Sequence, residues 1–468
     1  MKTAVLMALV SSVALAQTTD LKSYIDAAQK ENVDRRISIE TRNKAASDFT
    51  AAWGGLLPAL TVNGQWIHNQ YKAELQLPKT DSDGKTVLKK DETGNYVITP
   101  GLVDSRSGLV TCPGGATTCF NPYIGTATPE YVTRAIQLQD QLQASIRIDL
   151  PIIDVARWVR VAGAGIQKES AELRDAYMKD IITRQVVGAY YGYAAALALR
   201  QSAEKSLAAA EAQAKLMEIR TAAGSTTALD LARAKAEVQR NRQTVADANV
   251  MIATSRRTLR TLTSIEPPDS LPDWADNMAP EPALEELEGR ITELPAVKAS
   301  DKEAKAGELA ATGAGLTLVP TVGANFTESI SNATGFTGQN AAYSLGLSAT
   351  WRLDVPTVAN IASAQALSNQ AKLAAEKTRL QSRDQINSDF ARFTAALIKI
   401  EAARAQVEAA QKAAQVSKDR YAVGSATQIE VIQAERDLFS SELGQIQART
   451  ELATARASLR LSAALPLE

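Results

Sequence analysis

Apolar and polar positions alternate strictly in four stretches of the chain. Leu60, Val62 and Trp66 alternate with Thr61, Asn63 and Gln65. Ile136, Leu138, Leu142, Ala144, Ile146 and Ile148 alternate with five polar residues from Gln137 to Ser145 and with Arg147. Val322, Ala324 and Phe326 alternate with Thr321, Asn325 and Thr327, and Tyr343, Leu345, Leu347, Ala349, Trp351 and Leu353 with Ser344, Gly346, Ser348, Thr350 and Arg352. A period of two predicts strands with one apolar and one polar face. Strands of about ten residues suit a tilted bilayer crossing. Asp140 and Glu328 fall on the apolar face, so both are expected at or beyond a membrane boundary.

Elsewhere the spacing is three and four. Leu231, Ala234, Val238, Asn241, Val245, Ala248, Ile252, Ser255, Leu259 and Leu262 form one such stripe; Val431 to Leu459 and Ile386 to Tyr421 form two more. These predict coiled-coil seams, many of them built on Ala or Ser. The runs Trp158–Ala223 and Val358–Val423 contain no proline. As helices each would be roughly 100 Å long.

The two long runs belong to a duplication. Arg220-Thr-Ala-Ala-Gly224-Ser-Thr-Thr-Ala-Leu-Asp230 recurs as Arg420-Tyr-Ala-Val-Gly424-Ser-Ala-Thr-Gln-Ile-Glu430, 200 residues later. Each copy predicts a helix–turn–helix, with glycine ending one helix and a hydroxyl capping the next. Pro151-x-x-Asp154 and Trp351-x-x-Asp354 keep the offset of 200, whereas Leu57-Pro58 and Val319-Pro320 lie 262 apart. The first hairpin therefore holds 62 more residues. This extra material is read as a surface loop, about 75–135, rich in Pro, Gly and Thr. The division expected is a signal peptide at 1–16, a first repeat at 17–263, a Pro-rich linker at 264–295 with a short helix near Ala283 to Leu294, and a second repeat at 296–468. The β-hairpins fall at about 59–150 and 320–354, the helical hairpins at 158–263 and 358–464.

Composition narrows the function. Lys2, the apolar stretch Ala4 to Val13 and Ala14-Leu15-Ala16 fit an export signal. No Cys follows the expected cut, which argues against an N-terminal lipid anchor. No later run reaches the length of a spanning helix, so a membrane role must come from strands. The formal net charge of −1 argues against a nucleic-acid partner. The export context favours a disulfide between Cys112 and Cys119 over two free thiols. Two cysteines and the single histidine, His68, cannot complete a structural metal shell, so no metal or cofactor is expected. No phosphate loop, nucleophile motif or carboxylate pair points to an enzyme. Asn325-Phe-Thr and Asn332-Ala-Thr match glycosylation acceptors by chance.

Four strands cannot close a barrel, and an open edge in lipid leaves backbone groups unpaired. A barrel shared by three chains would have twelve strands, within the range known. The duplicated halves, the Leu-Pro and Val-Pro hairpin starts, the Pro/Trp-x-x-Asp ends and the two R-x-x-x-G-S turns together resemble the TolC family of outer-membrane efflux channels. The resemblance implies a fold that is mainly α with membrane β. Each unit is a β-hairpin plus a long α-helical hairpin, and a homotrimer makes a 12-stranded β-barrel continuous with a 12-helix α-barrel. It implies an exit duct embedded in outer-membrane lipid and spanning the periplasm, serving efflux or type I secretion with an inner-membrane pump and a periplasmic adaptor. Carried over, the adaptor-docking tips are Arg220, Gly224, Ser225 and Thr227 with Arg420, Gly424, Ser425 and Thr427, and the periplasmic gate comprises Tyr421, Asp230 and Glu430. Two departures stand out: Ala426 replaces the expected gate Arg, and Gln433 replaces a second inner acid. Glu430 has two readings, a ring of like charges around a threefold pore or an exposed acid at a helix start. The competing function is a secreted or periplasmic coiled-coil pore-forming or scaffold protein.

Overall fold

The computed structural model describes residues 20–104, 118–271, 274 and 276–467. The signal-peptide reading and Cys112 lie outside them, and with Cys112 the expected disulfide. In chain order the elements are α1 (Leu21–Glu31), α2 (Val33–Gly54), β1 (Ala59–His68), β2 (Ala73–Pro78), β3 (Ile98–Asp104), β4 (Thr118–Ala127), β5 (Tyr131–Gln137), β6 (Asp140–Ile153), α3 (Val155–Ala222) and α4 (Ala228–Thr263). There follow α5 (Leu284–Gly289), α6 (Pro295–Gly315), β7 (Thr321–Ser331), β8 (Ala341–Thr350), α7 (Val355–Ala422) and α8 (Gln428–Ser462). The chain divides into two compact units. One holds the helices: the chain up to Trp53, Ala156–Thr317 and the chain from Asp354 onwards. The other holds the strands, Gly54–Val155 and Leu318–Leu353.

In the helical unit α3 and α7 each run for 68 residues. Asp354 starts α7 by accepting from the Thr357 amide at 2.9 Å, so the x-x-Asp landmark is a helix cap. The seams bury the residues the spacing selects. On α7, Ile386, Phe393, Ile400, Val407 and Ala414 are buried at seven-residue intervals. Two cores result, one per repeat. The first joins α1, α3 and α4 through Tyr24, Ile182, Val186, Tyr193, Ile252 and Leu259. The second joins α5, α6, α7 and α8 through Leu287, Val297, Ile386, Phe393, Leu452 and Leu459. Val186 and Ile386, Tyr193 and Phe393, Ile252 and Leu452, and Leu259 and Leu459 keep the offset of 200. The duplication therefore extends to the packing.

The Pro-rich segment between the repeats is riveted rather than free. The Tyr193 hydroxyl donates to the Pro268 carbonyl at 2.6 Å, and Arg256 pairs with Asp269. The Arg449 guanidinium lies over the Trp274 ring at 4.5 Å, and its Nε bonds Asp276 at 2.8 Å. Glu281, 2 % exposed, is paired with Arg456 at 2.7 Å and with Arg460 at 3.2 Å. The buried carboxylates Asp276 and Glu281 of this strap each meet arginines on the long helices, so their burial is compensated.

The strand unit contains one four-stranded antiparallel sheet in the order β1-β6-β7-β8. Its register builds complete rows across the strands. Leu60, Ile148, Phe326 and Leu345 form one row on the apolar face, and Thr61, Arg147, Thr327 and Ser344 form one on the polar face. The apolar face is not covered by its own chain: Leu60, Val62, Trp66, Leu142, Tyr343, Leu345 and Leu347 are all exposed. Among the described residues, β1 pairs only with β6 and β8 only with β7, so each leaves one edge bare.

Three expectations need correction here. Glu328 does not lie beyond the apolar rows. It stands between Ile146 and Tyr343, with the Phe326 row on one side and Ile330 on the other. Asp140 does lie at the end of its strand, where it meets His68 Nδ1 at 2.8 Å. Second, the stretch from Ile136 to Ile148 is two strands. The chain changes partner from β2 to β1 between Gln137 and Asp140, where Asn69 bonds the carbonyls of Leu138 (2.8 Å) and Gln139 (2.7 Å).

Third, the expected surface loop at 75–135 is strand for much of its length. β2 pairs with β5, and β3 with β4. Between β2 and β3 the chain turns twice on a small repeat, Asp81-Ser-Asp-Gly84 and Asp91-Glu-Thr-Gly94, each flanked by a bridge, Thr80–Thr86 and Lys90–Tyr96. The Asp81 carboxylate accepts from the amides of Asp83 (3.0 Å) and Lys85 (2.8 Å), and Asp91 from those of Thr93 (3.0 Å) and Asn95 (2.9 Å). Gly84 and Gly94 take φ of +76° and +86°. Aspartate and glycine here build tight turns between strands rather than irregular loop.

Candidate functional site

Both tips of the helical unit are made the same way. The Ser225 amide donates to the Arg220 carbonyl at 2.9 Å and the Gly224 amide to that of Thr221 at 3.0 Å. In the second copy the Ser425 amide donates to Arg420 at 2.8 Å and the Gly424 amide to Tyr421 at 3.1 Å. Gly224 and Gly424 sit at φ of +68° and +77°, the left-handed geometry that closes a helix. Thr227 and Thr427 then cap α4 and α8, accepting from the amides of Asp230 (3.2 Å) and Glu430 (3.3 Å). Gly224, Ser225, Gly424 and Ser425 are exposed. The motif is thus explained by the turn it builds, while its outer surface stays open to a partner.

The two acids have the same local role. Glu430 accepts from the Thr427 amide (3.3 Å) and hydroxyl (3.1 Å), completing a capping box. Asp230 accepts from the hydroxyls of Thr227 (2.7 Å) and Thr226 (3.3 Å). The Thr227 hydrogen bond leads in holding the Asp230 carboxyl below the usual carboxylate range, helped by the Thr226 hydroxyl, the Thr227 amide and the charge of Arg233. Both acids are therefore placed by the helix start that follows the tip.

The arginines differ. Arg420 turns back on its own tip, its Nη2 donating to the Ser425 carbonyl at 2.9 Å. Arg220 instead lies over the ring of Tyr421, 5.0 Å from its centroid. The Tyr421 hydroxyl reaches Met217 Sδ at 3.2 Å. Of the expected gate residues, only Tyr421 contacts the other repeat; Asp230 and Glu430 are each held within their own tip. Met217, fully buried on α3, is a partner that the sequence reading missed. It lies three residues before Arg220, and no motif marks it.

A second missed contact joins the same helices. Gln428, the first residue of α8, is only 4 % exposed. Gln213 on α3 donates to its side-chain carbonyl at 2.9 Å. Its counterpart in the first tip, Ala228, is exposed. The second tip is thus tied to α3 by Gln428 and by Tyr421. Glu237 on α4 adds an ion pair to Arg436 on α8.

The sequence pattern of the family described as Outer membrane efflux protein matches residues 134–264 and 292–464. This chain belongs to that family. No curated protein sequence matches it. Among solved structures, a membrane protein from Pseudomonas aeruginosa superposes with a TM-score of 0.72 at 17 % identity, covering 95 % of this chain and 93 % of that one. The outer membrane protein VceC from Vibrio cholerae gives 0.70 at 16 % identity over 96 % and 97 %. The open state of the MtrE outer membrane channel of Neisseria gonorrhoeae gives 0.69 at 14 % over 95 % and 89 %. At such identities the likeness is one of fold. In this outer membrane efflux protein, no helix among the described residues is long and apolar enough to cross a membrane. The open sheet presents an exposed apolar face.

Proposed function

We propose that this protein is the outer-membrane exit duct of a tripartite efflux or type I secretion system. It acts as a homotrimer and has no catalytic activity. Three four-stranded sheets close into a 12-stranded barrel in the outer membrane, and the helical units form a 12-helix α-barrel that spans the periplasm. Substrates delivered by an inner-membrane pump and a periplasmic adaptor pass through without chemistry. The observation that carries this reading is the sheet: one chain presents a continuous uncovered apolar face and two bare edges. Edges in lipid are costly unless paired, and sister chains can pair them. Family membership supports the same conclusion.

Arg220, Gly224, Ser225 and Thr227, with Arg420, Gly424, Ser425 and Thr427, are the adaptor-docking surface. Tyr421, Asp230 and Glu430 form the periplasmic gate, and Cys112 and Cys119 form the disulfide of the extended first hairpin. With Ala426 in place of a latch arginine, the gate is held by Arg220 and Met217 against Tyr421. The coiled-coil scaffold alternative makes an opposite prediction about solubility. Purified from membranes, the channel requires detergent, has the mass of three chains by light scattering, and conducts in planar bilayers. A monomer that stays in solution without detergent and never conducts would overturn the proposal.

A further inference from the structure

A cavity of about 450 Å³ lies between α3, α4, α7 and α8, behind the second tip. Its walls are largely apolar: alanines of α3, Leu216, Val431, Ile432 and Phe439. The volume is within the range of sites for drug-sized molecules. Its charged groups are already engaged. Glu237 holds Arg436 and lies 3.4 Å from Arg240, and Lys418 holds Glu435. Asn241 accepts from the Ser206 hydroxyl at 3.0 Å and donates to the Glu237 carbonyl at 3.1 Å. Gln428 is the exception. Its carbonyl accepts from Gln213, but its amide nitrogen is buried and has no partner. A buried donor left without an acceptor is costly, and an incoming acceptor recovers that cost.

We infer that this cavity is a binding site for an uncharged, mainly apolar small molecule of about two rings carrying one carbonyl or similar acceptor. Each charged side chain of the wall already touches an opposite charge, so a charged ligand would have to compete with an existing ion pair. A purely apolar one would leave Gln428 unsatisfied. Because the cavity's walls come from both repeats, an occupant bridges α3 and α8 and favours the state in which the second tip is docked.

Benzophenone meets the description and reports its own position by photo-insertion into nearby C–H bonds. The intact protein in its membranes is irradiated with increasing benzophenone, and the modified peptides are mapped by mass spectrometry. Expected are saturable labels on the peptides carrying Leu216, Val431 or Phe439. Ala210→Trp, which fills the cavity, abolishes them. Gln428→Met, close in size but without the donor, weakens the apparent affinity about tenfold, the equivalent of one hydrogen bond. Labelling of the apolar sheet is unchanged in both variants, which shows that they fold and that the probe is present. The inference is overturned if helix labels do not saturate, if they persist in Ala210→Trp, or if only the sheet is labelled. It is also overturned if the cavity is labelled in isolated chains but not in the native assembly, since a sister chain would then be the occupant. Binding is read without conduction, so a failure here leaves the channel proposal standing, and the reverse.

Discussion

The two repeats share a fold and a register, yet they are held together by different chemistry. Position 175 is an aspartate, 3 % exposed, bonded by Arg35 of α2 and by Ser38 at 2.8 Å. Its counterpart 200 residues on is Ala375, 6 % exposed and without a polar partner to place. Tyr193 spends its hydroxyl on the strap, while Phe393 in the same place offers only its ring, with the Arg456 guanidinium 5.1 Å from the centroid. Arg220 crosses to the other repeat, and Arg420 stays at home. A duplicated backbone thus tolerates polar solutions in one half and apolar ones in the other. Each seam requires only that its groups be satisfied.

The largest effect that would separate the halves is at Asp175. Asp175→Ala leaves Arg35 buried without its carboxylate and is expected to destabilise the first repeat by about 3–5 kcal/mol, read by urea unfolding. A double replacement, Arg35→Met with Asp175→Leu, is expected to recover most of the loss. If the single change costs under 1 kcal/mol, the contrast with Ala375 is empty. Next, Tyr193→Phe copies the second repeat's residue into the first. It strands the Pro268 carbonyl and removes one of the hydrogen-bond partners of Arg256, which keeps Asp269, with an expected cost of about 1–3 kcal/mol. Faster proteolysis of the strap near Pro268 would register it.

A smaller difference separates the tips. Arg220→Ala removes a cation–π contact worth about 0.5–1 kcal/mol at an exposed site and is expected to raise resting conductance severalfold. Arg420→Ala, whose contact lies within its own turn, is expected to leave it near the original value. Equal effects would erase the assignment of Arg220 to the gate. The smallest effect concerns pH. Burial alone would raise the Asp175 carboxyl, but the hydrogen bonds and charge of Arg35, with Ser38 and Arg42, hold it below the usual range. Burial does raise Asp180, outweighing Arg184 and Lys179. A depressed acid keeps its full stabilisation above its unfolded pKa and loses it progressively as the pH falls from there through its folded pKa. A raised one is relieved by protonation as the pH falls. Acidifying from neutral to about pH 5, above the ordinary carboxylate range, is therefore expected to leave stability level or slightly higher. Thermal melts of wild type and Asp180→Asn check this, and the variant should lose any gain.

Much of the fold was legible because it rests on period. Alternation placed the four sheet strands, and seven-residue spacing placed Ile386, Phe393 and Ile400 in a core. The tips were legible because glycine and threonine have local duties there. What escaped depends on distant partners. The strap's acids were visible, but Asp276 meets Arg449 and Glu281 meets Arg456 only after the chain has folded back across more than a hundred residues. The first hairpin's extension read as loop because Asp, Gly and Thr dominate its turns, hiding the short strands between them. Gln428 and Met217 carried no pattern at all: a glutamine at a helix start looks solvated until another helix covers it. Among the candidate site residues, the tips were readable from sequence, whereas the contact of Arg220 with Tyr421 required the packing of one repeat on the other.

The unpaired margins of the sheet also bear on biogenesis. Each offers roughly five outward-pointing amides and carbonyls, since alternate residues of a ten-residue strand point away from their neighbour. Hydrocarbon provides nothing to satisfy them. On the proposed homotrimer, a copy reaching the bilayer alone is better kept at its surface until others arrive. Entry into lipid would then depend steeply on how many copies are present at once, so scarcity rather than instability would set the yield of closed barrels.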